Sequence, residues 1–132
     1  MAARRWDAHL AREFIYVPGE RDNKYTHGVL GIVAGSKKYP GAALLACKAA
    51  LEAGVGMARF VGTASLNAMV LAAAPSVVVA PGRVNAWLLG PGIADYDSQD
   101  PNTIFRHRSM VLAYEETLPD RKSTRLNSSH GY

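Results

Sequence analysis

The sequence predicts an α/β fold with a mostly parallel sheet covered by helices. Two observations support this prediction. Short apolar runs alternate along the chain with stretches rich in helix-forming residues, as in successive β-α-β units. Glycine-rich turns follow two of the apolar runs, at Gly35 and at Gly90. Because ligands bind beyond the carboxyl ends of parallel strands, both turns are candidate parts of a binding site.

The first unit is the clearest. The run from Gly28 to Ala34 is apolar without strict alternation, which is typical of a strand buried on both faces. Pro40 fits a helix start, Ala42–Ala53 is helix-forming, and Gly54 sits where a left-handed cap is expected. A helix that starts just after a strand favours anionic ligands. The loop lacks the Lys-Ser/Thr pair of a Walker A motif, and its glycines also fit a purely structural packing role.

The other elements are predicted from the same signals. They are an amphipathic stretch over Trp6–Phe14, a strand within Gly56–Gly62, a helix capped by Ser65 and ending by Ala73, an apolar run at Ser76–Ala80, and a strand at Asn85–Leu89.

Length and composition indicate one soluble domain. The chain has 132 residues, of which 48% are hydrophobic and 20% charged, and this balance permits a real core. No apolar run reaches the roughly 18 residues of a membrane span, and the first residues lack a signal-peptide core. We therefore expect a cytoplasmic protein. Cys47 is the only cysteine, which excludes an internal disulfide, and its apolar surroundings predict a buried side chain.

The residues predict no structural metal site. The candidate ligands are Asp95, Asp97 and Asp100, and His9, His27 and His107. The aspartates lack the glycine and the terminal glutamate of a calcium loop, so we interpret them as a solvated loop. The histidines show no ligand spacing and have no cysteine cluster beside them.

The positive charge does not indicate a nucleic-acid partner. The formal charge is +4, but residues 120–132 resemble a sequencing-library adapter translated in frame, and we interpret them as a non-native tail. Without the three cations and one anion of this tail the charge is +2. Arg106, His107 and Arg108 form a basic triplet that we expect on the surface.

Four tracts, taken together, resemble the NAD(P)H-hydrate dehydratase family. They are Lys24–Gly28, Ala34–Ser36 with Tyr39–Ala43, Ala53–Met57 and Gly90–Gly92. Their order and separation match the first part of that domain over residues 22–93. The resemblance also implies a further strand within Thr103–Pro119, although this segment matches the family pattern poorly.

The resemblance implies a ribokinase-like three-layer fold and the repair of hydrated NADH or NADPH. ADP, or ATP in some relatives, would act with Mg²⁺ as phosphoryl donor. The family forms homo-oligomers and is in some relatives fused to an epimerase domain. The resemblance also implies a surface for the hydrated dinucleotide, made of Gly41, Ala42, Ala43, Gly90, Pro91 and Gly92.

The second half of the family pattern has no counterpart here. Its His-Pro-Gly-Glu tract, its lysine-bearing nucleotide loop and its Gly-x-Gly-Asp turn are missing from the sequence, so no catalytic residue can be assigned. We expect a domain fragment over 23–119, preceded by an extension over 1–22. Such a fragment should be inactive and prone to aggregate through an open sheet edge.

Two other functions fit the residues less well. A ribokinase-like kinase for a vitamin precursor would share the fold and phosphoryl transfer, but its glycine motifs differ from Tyr39–Ala43. A non-catalytic dinucleotide-binding module would bind nucleotide without turnover.

Overall fold

The structure is a computed structural model that describes residues 3–15, 17, 19–21 and 27–118. Its elements in chain order are α1 (Ala8–Arg12), β1 (Val29–Val33), α2 (Pro40–Glu52), β2 (Met57–Phe60), α3 (Ala64–Ala73), β3 (Ala86–Leu89) and α4 (Pro101–Glu116). The predicted extension up to Asp22, the start of the first resembling tract and the tail over 120–132 lie wholly or partly outside the described residues.

The three strands form one parallel sheet in the order β2-β1-β3. The central strand pairs Val29 with Met57 on one side and Leu30 with Ala86 on the other. All carboxyl ends therefore point to the same edge of the sheet. The α/β class and the parallel sheet predicted from the sequence are confirmed.

Helices cover both faces of the sheet. On one face α2 and α3 pack against each other and on the strands, around a core that includes Ile32, Cys47 and Phe60. On the other face α4 packs on β1 and β3. There the Trp87 ring lies against Gly31, where a Cβ atom would come within 2.4 Å of it, and Trp87 Nε1 donates to Glu116 on α4 at 3.2 Å. The result is a three-layer arrangement.

The prediction for Cys47 is confirmed. Its side chain is fully buried, and burial raises the pKa of the thiol to about 11. At neutral pH the thiol is therefore protonated and behaves as a small apolar side chain.

One prediction near β2 needs correction. Thr63, not Ser65, caps α3, because the extended backbone of Thr63 lets its hydroxyl accept from Leu66 N at 3.4 Å. Ser65 already lies within the helix. The apolar run over Ser76–Ala80 adds one parallel bridge to the sheet, between Val78 and Arg59.

The structure has a helix where the family resemblance implied a further strand, within Thr103–Pro119. Residues 103–116 belong to α4, which begins at Pro101 and is capped by Asp100, whose carboxylate accepts from Asn102 N at 2.9 Å. The buried positions of α4 follow a helical period and are mostly polar: Thr103, Arg106, Ser109 and Ala113. An apolar periodicity was therefore absent from the sequence.

The amino-terminal stretch is helical over α1, and α1 buries none of its residues. The rings of Trp6 and Phe14, on either side of α1, are 5.4 Å apart, and both side chains are exposed. Within the described part of the chain, no helix has the length and apolar character needed to cross a membrane.

Candidate functional site

The turn after β1 brings the start of α2 close to the sheet. Gly35 has a φ of +75°, and a Cβ atom there would lie 2.6 Å from Ala43 Cβ. Only glycine fits this combination of backbone angle and space. Ser36 Oγ accepts from Tyr39 N at 3.1 Å and closes the turn.

The second glycine-rich loop meets this turn. Gly35 N donates to Pro91 O at 2.7 Å, and Gly90 N donates to Val33 O at 3.0 Å. Gly92 has a φ of +70°, and a Cβ atom there would come within 2.2 Å of Ala42 Cβ. Two tracts about fifty residues apart in sequence are thus in direct contact. We call the surface formed by residues 41–43 and 90–92 the two-loop surface.

The six residues expected to bind substrate play different parts in the two-loop surface. Gly41 and Pro91 are exposed, and a Cβ atom at Gly41 or Gly90 would meet no other atom within 4 Å. Ala42 and Gly92 are half-buried and pack against each other. Ala43 is fully buried against Gly35. The structure therefore leaves Gly41, Gly90 and Pro91 facing open space and uses Ala43 to position them.

The start of α2 is open to an anion. Its N-cap residue, Tyr39, makes no side-chain capping bond, Pro40 has no N–H, and the first turn carries no acidic residue. The positive end of a helix dipole and the unpaired N–H groups of a first turn both attract negative charge. This end of α2 lies beside Gly92.

Arg106 is a functional candidate that the sequence did not reveal. The expectation that the basic triplet lies on the surface is wrong for this residue, whose side chain is 1% exposed. Its Nε donates to Gly35 O at 3.1 Å, one terminal nitrogen donates to Ala34 O at 2.5 Å, and the other donates to Val61 O. Arg106 thus joins the carboxyl ends of β1 and β2. Burial lowers the pKa of its guanidinium to about 10, so the group stays protonated at pH 7.

The other members of the triplet point elsewhere, because successive helical residues are turned by about 100°. His107 Nε2 lies 2.9 Å from Ala94 O, and its ring packs edge-on against Tyr96. Arg108 is exposed, as expected.

A pocket of about 230 Å³ lies between the turn after β1 and the start of α4. We call it the basic pocket, and the residues that line it include Ser36, Lys37, Lys38, Asp100, Thr103 and Arg106. It adjoins the two-loop surface, because Ser36 directly follows Gly35, and Gly35 N donates to Pro91 O of that surface.

The aspartates of the preceding loop serve local structure. Asp97 Oδ1 accepts from Gln99 N at 2.8 Å, and Asp100 caps α4. Nowhere in the described ranges do three or more potential metal-binding side chains of the His, Cys, Asp or Glu type come together. We therefore assign no metal ligand.

Sequence comparison identifies the family. The profile described as NAD(P)H-hydrate dehydratase matches residues 30–113. The chain belongs to the NAD(P)H-hydrate dehydratase family. It is 54% identical over 82 residues to the bifunctional NAD(P)H-hydrate repair enzyme Nnr of Mycobacterium tuberculosis. The corresponding enzymes of Mycobacterium leprae and Corynebacterium glutamicum are 49% and 50% identical over 82 and 80 residues.

These matches cover 58%, 58% and 57% of this chain, but 17%, 17% and 14% of the respective relatives. The chain thus spans about a sixth of the length of these NAD(P)H-hydrate repair enzymes. The family resemblance inferred from the four tracts is confirmed. The profile match includes the whole two-loop surface and Arg106.

Proposed function

We propose that this chain supplies the substrate-binding surface of an NAD(P)H-hydrate dehydratase. The observation that carries the proposal is the contact between Ala42 and Gly92, which joins two glycine-rich tracts at the carboxyl edge of the sheet. Ligands bind at this edge in parallel α/β folds. The family membership names the ligand class: NADH or NADPH hydrated on the nicotinamide ring.

The role of the two-loop surface is to let a ligand approach the backbone. Gly41 and Gly90 leave open space where other residues would project a side chain. Ala43 and Gly35 fix the distance between the start of α2 and the sheet by their direct packing. Because these groups are held by the fold before the ligand arrives, little conformational entropy is lost on binding.

The chemistry that the family implies is a dehydration driven by ADP or ATP with Mg²⁺. The nucleotide, when bound, would convert the ring hydroxyl into a phosphate ester that leaves. In this proposal the residues of this chain bind and orient the substrate and take no part in the phosphoryl transfer. We assign none of the described residues to the metal or to the nucleotide.

Three further properties are part of the proposal. The relatives are named bifunctional, which supports an epimerase domain joined to the dehydratase in the longer protein. We also propose a homo-oligomer and a cytoplasmic location.

A vitamin-precursor kinase is the less favoured function, because the family description names the hydrated dinucleotide as substrate.

Binding of NADH hydrate to the full chain tests the proposal. We expect binding by calorimetry that Gly41→Leu weakens about tenfold, because the added side chain fills the space that the ligand needs. Ala49→Leu is the matched control, since Ala49 is exposed about two turns further along α2. Equal affinity of Gly41→Leu and the unaltered chain, with both folded, would contradict the assigned surface.

A further inference from the structure

The basic pocket has an excess of positive charge. Lys37, Lys38 and Arg106 line it, against a single carboxylate from Asp100. Its volume of about 230 Å³ leaves room for a diphosphate group. The charge of the pocket, its size and its position next to the two-loop surface each favour binding of a diphosphate group.

Arg106 contributes a fixed charge. Its three hydrogen bonds go to main-chain carbonyl oxygens, which carry only partial negative charge. No carboxylate among the described residues forms an ion pair with it. A buried charge is normally paired with an opposite charge, and in a low-dielectric setting an uncompensated cation attracts a nearby anion strongly.

The two lysines contribute mobile charges at the pocket entrance. Both are exposed on the turn between Ser36 and Tyr39. The Lys38 ammonium lies 5.4 Å from the centre of the Tyr39 ring, and neither lysine is paired with a carboxylate in the part of the chain that the structure describes. Long flexible side chains of this kind can close over a phosphate as it enters.

We propose that the basic pocket binds the diphosphate group of the dinucleotide, with Lys37 and Lys38 as direct contacts and Arg106 as the buried charge behind them. The identity of the dinucleotide rests on the proposed function. Binding of a diphosphate as such rests only on the pocket. An experiment can therefore contradict the identity of the dinucleotide without contradicting diphosphate binding, and the reverse.

The first test measures binding of inorganic pyrophosphate to the full chain by calorimetry. We expect Lys37→Ala/Lys38→Ala to weaken binding about tenfold or more, because two charge-assisted contacts are lost. Both lysines are exposed, so this variant should stay folded. Lys48→Ala is the control, because Lys48 is exposed further along α2 and is not among the residues that line the pocket.

A second variant should strengthen pyrophosphate binding instead of weakening it. Asp100→Asn keeps an N-cap side chain for α4 and removes the only carboxylate of the pocket. We expect this variant to bind pyrophosphate severalfold more tightly. Absence of pyrophosphate binding by the unaltered chain, or equal affinity of the double lysine variant, would overturn the proposal.

Competition identifies the source of the phosphate. Pyrophosphate should displace NADH hydrate from the chain, and the double lysine variant should lose affinity for NADH hydrate to the same degree. If pyrophosphate displaces ADP but leaves NADH hydrate bound, the pocket belongs to the other nucleotide and the assignment to the dinucleotide is wrong. If Gly41→Leu loses affinity for NADH hydrate but still binds pyrophosphate, the two-loop surface and the basic pocket are separate parts of one binding surface.

Discussion

Arg106 connects the core of this chain to its binding edge. Its guanidinium donates to three carbonyl oxygens that directly follow β1 and β2, those of Ala34, Gly35 and Val61. The face of Phe60 lies 5.6 Å from the same guanidinium, so the charge is also held by an aromatic ring. One side chain thus fixes the position of the turn that carries Ser36, Lys37 and Lys38.

Replacing this residue should destabilise the fold. Arg106→Met keeps much of the apolar length but leaves three carbonyl oxygens without donors, and each buried unpaired group costs about 1–3 kcal/mol. We expect a loss of about 3 kcal/mol in the free energy of unfolding, measured by urea denaturation. Arg108→Met, at an exposed position of the same helix, should change it by less than about 0.5 kcal/mol. Equal stability of the two variants would contradict the bridging role.

The role of Arg106 could not be predicted from the sequence. Its partners are main-chain carbonyls of residues 34, 35 and 61, between 45 and 72 positions away. A main-chain acceptor leaves no trace in residue type, so an arginine between a phenylalanine and a histidine is indistinguishable from a surface cation. Gly35 and Gly92, in contrast, could be recognised in the sequence, because positive backbone angles of this kind select glycine and so leave a trace in residue type.

At the scale of elements, the site depends on how closely α2 approaches the loop after β3. The side chain of Ala42 occupies the space that a Cβ atom at Gly92 would need. Gly92 also has a φ of +70°, which disfavours residues with a side chain. The two elements are therefore held at a distance that only small residues permit.

Gly92→Ala tests this contact. We expect a loss of about 2 kcal/mol in the free energy of unfolding, from strain at positive φ together with the clash. Adding Ala42→Gly should recover the part of the lost free energy of unfolding that is due to the clash, but not the part that is due to the strained backbone. A double-mutant cycle in urea denaturation would measure the recovered part. Gly41→Ala is the control, since a Cβ atom there meets nothing within 4 Å. A cycle with no coupling would show that α2 and the loop do not restrain each other.

The elements differed in how readily the sequence predicted them. β1 and α2 were found with boundaries shifted by one or two residues, because an apolar run, a proline and two glycines mark them. α4 was missed because Thr103, Arg106 and Ser109 occupy its buried face. Hydrophobic periodicity reports burial only where the buried side chains are apolar.

At the scale of the whole molecule, the sheet formed by the described residues has an open edge at β3. β3 pairs with β1 on one side, and no described strand pairs with its other side. The outer edge of β2 is partly occupied by the bridge at Val78. Apolar side chains are also exposed along α4, among them Phe105, Val111 and Tyr114. Open edges and apolar surfaces of this kind favour association between chains.

A lysine on the edge strand should suppress this association. Ala86 is exposed on β3, and a charge at an edge position opposes strand pairing between molecules. We expect Ala86→Lys to raise the monomer fraction at about 100 µM severalfold by light scattering, because the added charge must be desolvated before two edges can pair. Ala49→Lys adds the same charge on the exposed side of α2 and should have little effect, since only general repulsion would act. Equal gains from both substitutions would show that net charge, and not the β3 edge, controls association.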